Sequence, residues 1–259
     1  MESTFVDSAD GTRLRVVRWA GGDRDCLVVG GLAEHAGRYP HVAAALQARG
    51  MAVHCLELRG HGKSGGRRSH VLRWSEYVDD VRAGAAGLRP GWVFLSHSMG
   101  GLVALDALLA GVAPARLALS NPLLGLKLVV PPAKAAAGRM LSRVWPTLAL
   151  GNEVKGEDLS RDPEVGVRYH ADPDIYHKVT GRWFTEMLDA QARVMAGSYA
   201  VPLGFFVSGT DPVNDAAASR QLAGRMGSHV QEYPGMRHEL FNELGKEQVL
   251  ADVAAWLAG

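Results

Sequence analysis

Short apolar runs alternate along the chain with stretches in which apolar residues recur every three or four positions, and these two periods divide it into strands and helices. Thr12 to Trp19 alternates in the manner of an early antiparallel strand, and Cys26 to Val29 reads as a short buried one. Pro40 opens a helix that Gly50 closes. Met51 to Leu58 is the next strand, and Ser75 caps a helix with Tyr77, Val78, Val81, Ala85 and Leu88 on its apolar side. The run Val93, Phe94, Leu95 leads straight into a helix marked by Leu102, Leu105 and Leu109. Further strands fall at Arg116–Leu119, Leu203–Val207 and His229–Tyr233, with helices at Ala216–Met226 and at the end of the chain, where Val249, Val253, Trp256 and Leu257 turn inward. Strands alternating with helices predict an α/β fold, a mainly parallel sheet covered on both faces.

The alternation stops at Asn121 and resumes near Val201. Residues 1–120 and 199–259 are therefore expected to form the core, and residues 121–198 a helical cap inserted over one edge of the sheet. The insert begins apolar, with Leu123, Leu124, Leu126, Leu128, Val129 and Val130 before Pro131 and Pro132. Packing onto the core accounts for most of these side chains.

The segment Ser96, His97, Ser98, Met99, Gly100, Gly101 occupies the corner between strand and helix. That is the setting of a G-x-S-x-G elbow, in which a sharp turn lifts the serine hydroxyl above the sheet and the next helix aims its N-terminal amides at the same point. Ser98 is the candidate nucleophile, with Ser96 where the first glycine is usual. A serine hydroxyl needs a histidine base, itself held in one tautomer by a carboxylate, and in this arrangement they follow in the order serine, acid, histidine. Of the histidines after Ser98, His170 and His177 lie in a polar irregular stretch and His229 begins a strand, which leaves His238 in the loop behind Pro234 and Gly235. The acid is Asp211, in the turn that ends the strand Leu203–Val207; Asp215 precedes a helix and has ordinary work as its N-cap. An oxyanion needs two backbone amides, assigned to Met99 and to Leu32 in the glycine-bearing loop Gly30, Gly31, Leu32.

These residues resemble the monoacylglycerol lipase and lysophospholipase-like family of the α/β-hydrolase superfamily (serine aminopeptidase S33-type hydrolases). Its H-G-x-x-E-H-x-x-R-Y loop is matched from Gly30 to Tyr39, with glycine in place of the first histidine; its D-x-R-G-H-G-x-S segment from Glu57 to Ser64, with Glu57 for aspartate; and its G-H-S-M-G-G motif from Ser96 to Gly101. The histidine loop is similar at Gly235, Met236, Arg237, His238, Glu239, and the insert at Leu159–Val165 and again at Ala171, Asp172, Pro173. The resemblance implies an α/β-hydrolase fold with an eight-stranded sheet, an apolar acyl tunnel under the cap, and contact of the cap with a membrane or micelle surface. Gly31, Leu124, Leu126, Met140, Trp145 and Phe184 are candidate substrate-binding residues, with Leu141, Trp183, Met187 and Leu188 beside them.

Composition agrees with one enzyme of this kind. The chain has 259 residues, 47% hydrophobic and 21% charged, with formal net charge +1, enough for a large core and too neutral for a nucleic-acid surface. No basic segment followed by an apolar run opens it and no apolar stretch is long enough to span a bilayer, so the expected location is cytoplasmic, peripheral to a membrane at most. Cys26 and Cys55 read as buried thiols. Gly62, Lys63, Ser64 ends like a phosphate-binding loop but lacks its first glycine, H-E-x-x-H is missing, and Arg67 and Arg68 read as solvated surface. Neither metal nor cofactor is expected. The reading is a serine hydrolase that cleaves a small-molecule acyl ester, monoacylglycerol first, with lysophospholipid or a short-chain ester as alternatives and a catalytically silent binding protein as the rival of another class. Oligomeric state is not encoded in any feature of the chain.

Overall fold

In the computed structural model, which describes residues 1–127, 132–152 and 154–259 (side chains of 132–137 excepted), the apolar runs pair into an eight-stranded sheet. Its strands are β1 (Glu2–Asp7), β2 (Arg13–Trp19), β3 (Arg24–Val29), β4 (Met51–Leu56), β5 (Val93–His97), β6 (Leu117–Ser120), β9 (Leu203–Ser208) and β10 (His229–Tyr233), in the order β1-β2-β4-β3-β5-β6-β9-β10. From β4 to β10 every pairing is parallel, and only β1 and β2 run against their neighbours. Parallel neighbours end on the same side, so the loops after β3, β5, β6, β9 and β10 converge on one edge, where ligand sites of such sheets form. The first strand has no counterpart in the apolar pattern. It is an exposed edge strand held by its β2 ladder and by Arg13, whose guanidinium lies 3.9 Å from the centre of the Phe5 ring.

Helices cover both faces. On one, α1 (Pro40–Gln47) and α9 (Lys246–Ala258) bury Val42, Leu46, Val249, Val253 and Leu257 against the sheet. On the other lie α2 (Ser75–Ala85), α3 (Met99–Leu109) and α8 (Ala216–Met226), with Tyr77, Val81, Leu102, Leu105 and Leu222 inward. Ser75 is not the cap of its helix: Trp74 precedes it already in helical conformation, and the Glu76 carboxylate accepts the Leu72 and Arg73 amides instead. Asp215 does cap α8, accepting the Ala217 amide at 2.9 Å. Cys26 and Cys55 are buried free thiols.

Between β6 and β9 the chain forms α4 (Pro132–Val144), a two-stranded antiparallel sheet of β7 (Ala149–Gly151) and β8 (Lys178–Thr180), α5 (Gly156–Leu159), α6 (Pro163–Ala171) and α7 (Gly181–Ala196). The small sheet joins the helices expected of the insert. The last helix is amphipathic and sends Trp183, Met187, Ala190 and Val194 into the same core cluster as α3, so the insert is welded to the sheet at that end. Leu128, Val129, Val130 and Pro131 lie outside the described residues. Among the described residues no helix is long and apolar enough to cross a membrane.

The Glu57–Ser64 segment has a structural explanation. The Glu57 carboxylate accepts the amides of Lys63 at 2.7 Å and Ala36 at 3.0 Å, so the loop that resembles a phosphate cradle already holds an anion of its own. A Cβ at Gly62 would stand 2.3 Å from that carboxylate. Two residues on, Arg59 is buried and binds Asp80 through Nε at 3.0 Å and Nη2 at 2.7 Å. Its Nη1 also meets the more exposed Asp10 at 2.7 Å and Glu76 at 3.2 Å, so loss of Asp80 removes the buried partner without leaving the guanidinium unpaired. Asp80→Ala should lower the unfolding free energy by about 1.5–3 kcal/mol, read as a reduced urea midpoint.

Candidate active site

The turn after β5 is built around one backbone conformation. Ser98 has φ 50° and ψ −117°, a region that L-residues seldom enter, and it sits between a buried strand and the fully buried first turns of α3. The following helix can begin there only because Gly100 has no side chain: a Cβ would lie 2.5 Å from the carbonyl oxygens of both Val29 and Gly30. Gly101 is equally tight, 2.6 Å from the Pro122 ring. The Ser98 amide donates to Ser120 O at 3.0 Å, and its carbonyl receives the amides of Gly101 and Leu123, both at 2.9 Å. At Ser96 the hydroxyl is turned into the sheet toward Ala118 O, 3.4 Å away, which is how a residue larger than glycine fits there.

The sheet edge brings Ser98, Asp211 and His238 into one hydrogen-bonded chain. His238 Nε2 stands 3.0 Å from Ser98 Oγ, and its Nδ1 stands 2.8 Å from Asp211 Oδ2. The other Asp211 oxygen accepts the amides of Val213 and Asn214, at 2.8 and 3.2 Å, so the carboxylate is fixed from its own turn. All three side chains are buried. Burial opposes charge on both partners, but the mutual attraction of Asp211 and His238 outweighs it, holding the carboxyl below its ordinary value and raising the imidazole above 6.5. With Asp211 ionised, Nδ1 carries the proton and Nε2 is the acceptor for the serine hydroxyl. The ring of His97 lies 4.9 Å from that of His238; burial pushes it down to about 4, so it is neutral and does not repel a protonated His238. Its Nδ1 pairs with Ser120, a structural role.

The loop after β3 closes the other side. A Cβ on Gly31 would be 3.2 Å from Ser98 Cβ, so the backbone leading to the Leu32 amide passes directly against the serine. Glu34 holds this loop: its carboxylate accepts the Gly31 amide at 2.5 Å and the Tyr39 hydroxyl at 2.6 Å. Burial disfavours its charge, but Arg38 nearby and the two hydrogen bonds keep its pKa below the usual carboxylate range. Arg38 bridges Glu34, at 3.3 Å, to Glu239, at 2.5 Å, behind His238. Burial raises the Glu239 carboxyl despite Arg38. Asn121 is a second hub. With φ 39° at the end of β6, its Nδ2 donates to His238 O at 2.8 Å while its Oδ1 accepts the Ser208 amide at 2.8 Å, tying the histidine loop to the strand that carries the acid. In the sequence Glu34 entered only as a motif letter and Asn121 only as the start of the insert. Glu34 lies in the loop after β3, two residues beyond Leu32, and Asn121 directly follows β6 at the same sheet edge, which is the signal that could have found them.

A cavity of about 280 Å³ opens on Ser98 and His238. Its wall includes Gly31, Leu32, Leu126, Trp183, Phe184 and Met187 from the expected set, joined by Leu123, Ile175 and Val179. Leu124 stands off that wall, buried in the core. Met140 and Trp145 are also away from it: α4 turns them outward, at 70% and 58% exposure, with Leu141 and Val144 beside them. Among the described residues no cluster of acidic, histidine and cysteine side chains could hold a metal ion.

Residues 23–245 match the family described as serine aminopeptidase, S33. The monoacylglycerol lipase of Mycolicibacterium smegmatis is 37% identical over 240 residues, covering 88% of this chain and 85% of the relative. Phospholipase YtpA of Bacillus subtilis is 29% identical, over 89% and 93% respectively. The crystal structure of Paleococcus ferrophilus monoacylglycerol lipase superposes with a TM-score of 0.88 at 25% identity, covering 95% of this chain and 98% of that one. The geometry also carries a direct test. The His238 imidazole should titrate above 6.5 by NMR, and Asp211→Asn, which removes the charge that raises it, should bring it down.

Proposed function

The chain belongs to the serine aminopeptidase, S33, family of hydrolases, and from that premise we propose that it cleaves the carboxylic ester of single-chain acyl lipids, monoacylglycerol foremost, through an acyl-enzyme. The observation that carries the reading is the chain of hydrogen bonds from Asp211 through His238 to Ser98, opening on a cavity walled by Leu123, Leu126, Trp183, Phe184 and Met187. An apolar wall of this kind binds an acyl chain by removing it from water, and the few polar groups at its end fix the ester.

Ser98 Oγ attacks the ester carbonyl as His238 Nε2 takes its proton, and Asp211 holds the imidazolium that forms. The amides of Leu32 and Met99 receive the oxyanion of the tetrahedral intermediate. His238 then protonates the departing glycerol oxygen, and water, activated by the same base, releases the fatty acid. The reaction needs no cofactor. In this reading residues 121–198 act as the cap, and the outward face of α4, with Met140, Leu141, Val144 and Trp145, meets the surface of a micelle or membrane. Lysophospholipid is the second reading, favoured by Lys127, an exposed cation on the cavity wall that suits a phosphate group.

Ser98→Ala should reduce kcat by about 10⁴-fold or more, and a fluorophosphonate probe should label Ser98 in the parent protein. Ester hydrolysis retained in the variant, or label on another residue, refutes the assignment. In a series of monoacylglycerols against matched lysophospholipids, short p-nitrophenyl esters and amino-acid amides, the long single-chain esters should give the highest kcat/KM. Hydrolysis confined to the shortest acyl groups would contradict the lipid reading. Because the base must be neutral, kcat/KM should fall as pH drops, with an inflection above the ordinary imidazole value of 6.5. A flat profile from about pH 5 to about pH 9 is incompatible with His238 as base.

A further inference from the structure

Two stretches of the insert match the family pattern yet stand outside the proposed chemistry, Leu159–Val165 and Ala171–Pro173. Each meets one of the loops that carry the reacting groups. The first is bonded to the histidine loop: the Glu239 amide donates to Leu159 O at 2.8 Å, the Ser160 hydroxyl to Asn242 O at 3.1 Å, and Arg161 binds Glu243 through its amide at 2.9 Å and Nε at 3.0 Å. The second meets the loop after β3. His35 Nδ1 accepts the Gly37 amide at 3.2 Å, which leaves the ring proton on Nε2, and Nε2 lies 2.9 Å from Asp172 Oδ2.

Between Leu32 and His35 the backbone is strained. Ala33 has φ 63°, a conformation that a non-glycine residue seldom adopts and that persists only where its surroundings impose it. Those surroundings are the insert: the Ala33 methyl is packed in a cluster with Leu159, Val165, Tyr169 and Ile175, separate from both main cores. Ala33 and His35 thus fasten the loop to the insert on either side of Glu34, while Glu34 and Glu57 grip it from the sheet side.

We propose that Asp172 and His35 are positioning residues that, with the Ala33 contact, hold the Leu32 amide aimed at the oxyanion. The insert then contributes to the rate of the chemical step as well as to acyl binding. The inference rests on the proposed role of Leu32 and concerns only how that amide is held. An oxyanion donor acts in the transition state and not in the ground state, so loosening it lowers kcat and leaves KM in place.

The test is a cycle of His35→Ala, Asp172→Ala and the double variant, with rates expressed per Ser98 labelled by fluorophosphonate so that loss of folded protein does not register. Each single change should lower kcat about tenfold with KM within about twofold, and should weaken binding of a trifluoromethyl ketone carrying the substrate's acyl chain in proportion to kcat. The double variant should be no slower than the singles, because both remove one interaction. His35→Gln, which keeps a donor, should recover part of the rate. Parental kcat in the single variants, additive losses, or a raised KM at unchanged kcat each overturn the positioning role while leaving Ser98 as nucleophile. A parent protein unlabelled at Ser98 overturns both readings.

Discussion

The backbone of Ser98 has to be held in a conformation that serine does not choose, with φ 50°, and the neighbouring structure is arranged to hold it. Three backbone hydrogen bonds fix the peptide units on either side, to Ser120, Gly101 and Leu123, and Gly100 lets α3 approach within contact of the β3 carbonyls. The same approach sets β3 and its glycine loop beside the serine, so one steric requirement places both the proposed nucleophile and the proposed second oxyanion amide. Fully buried packing of Leu95, Met99, Leu102 and Val103 makes the turn part of the core and not a loop resting on it. That rigidity is what an ester-cleaving site requires, because proximity is effective only when the hydroxyl is already placed.

Around this turn the buried charges are balanced locally. Asp211 faces His238, while Glu34 and Glu239 share Arg38 on the far side of the imidazole. Glu34 is held ionised by two short hydrogen bonds and by Arg38, whereas burial raises the Glu239 carboxyl. The acids thus surround a histidine that, in the proposed mechanism, becomes positive, and His97, next to it, stays neutral through burial. A field of this sign lowers the energy of the imidazolium without a further proton transfer. It also couples the loop after β3 to His238 electrostatically, through Glu34, as well as placing it sterically beside Ser98.

Much of this was legible along the chain, for a reason tied to the parallel sheet. Strands such as Val93–His97 and Leu203–Ser208 are apolar runs with sharp polar ends, and in a parallel arrangement those ends must converge, so the elbow motif and the chain order serine, acid, histidine were enough to bring Ser98, Asp211 and His238 together. Edge strand β1 was not legible, because its residues are exposed and its order comes from pairing with β2. Nor was the helix start at Ser75, where Glu76 supplies the capping oxygen from within the helix. In the insert, apolar residues carry no address: Met140 and Trp145 are as hydrophobic as Trp183 and Met187, yet α4 faces outward and α7 inward. Hubs such as Asn121 depend on hydrogen bonds to residues more than eighty positions away, which no local pattern encodes.

The insert therefore divides by what it is bonded to. From α5 to α6 and its following turn, it is joined to the histidine loop through backbone carbonyls and to the loop after β3 through Asp172, and α7 is embedded in the main core. Lifting these parts would break hydrogen bonds at the site itself and expose the apolar cluster around Ala33. In contrast, α4 pairs chiefly with α7 and presents Met140, Val144 and Trp145 to solvent. Among the described residues α4 makes no hydrogen bond to the histidine loop or to the loop after β3, so of the parts of the insert it is the one whose displacement disturbs Ser98 and His238 least.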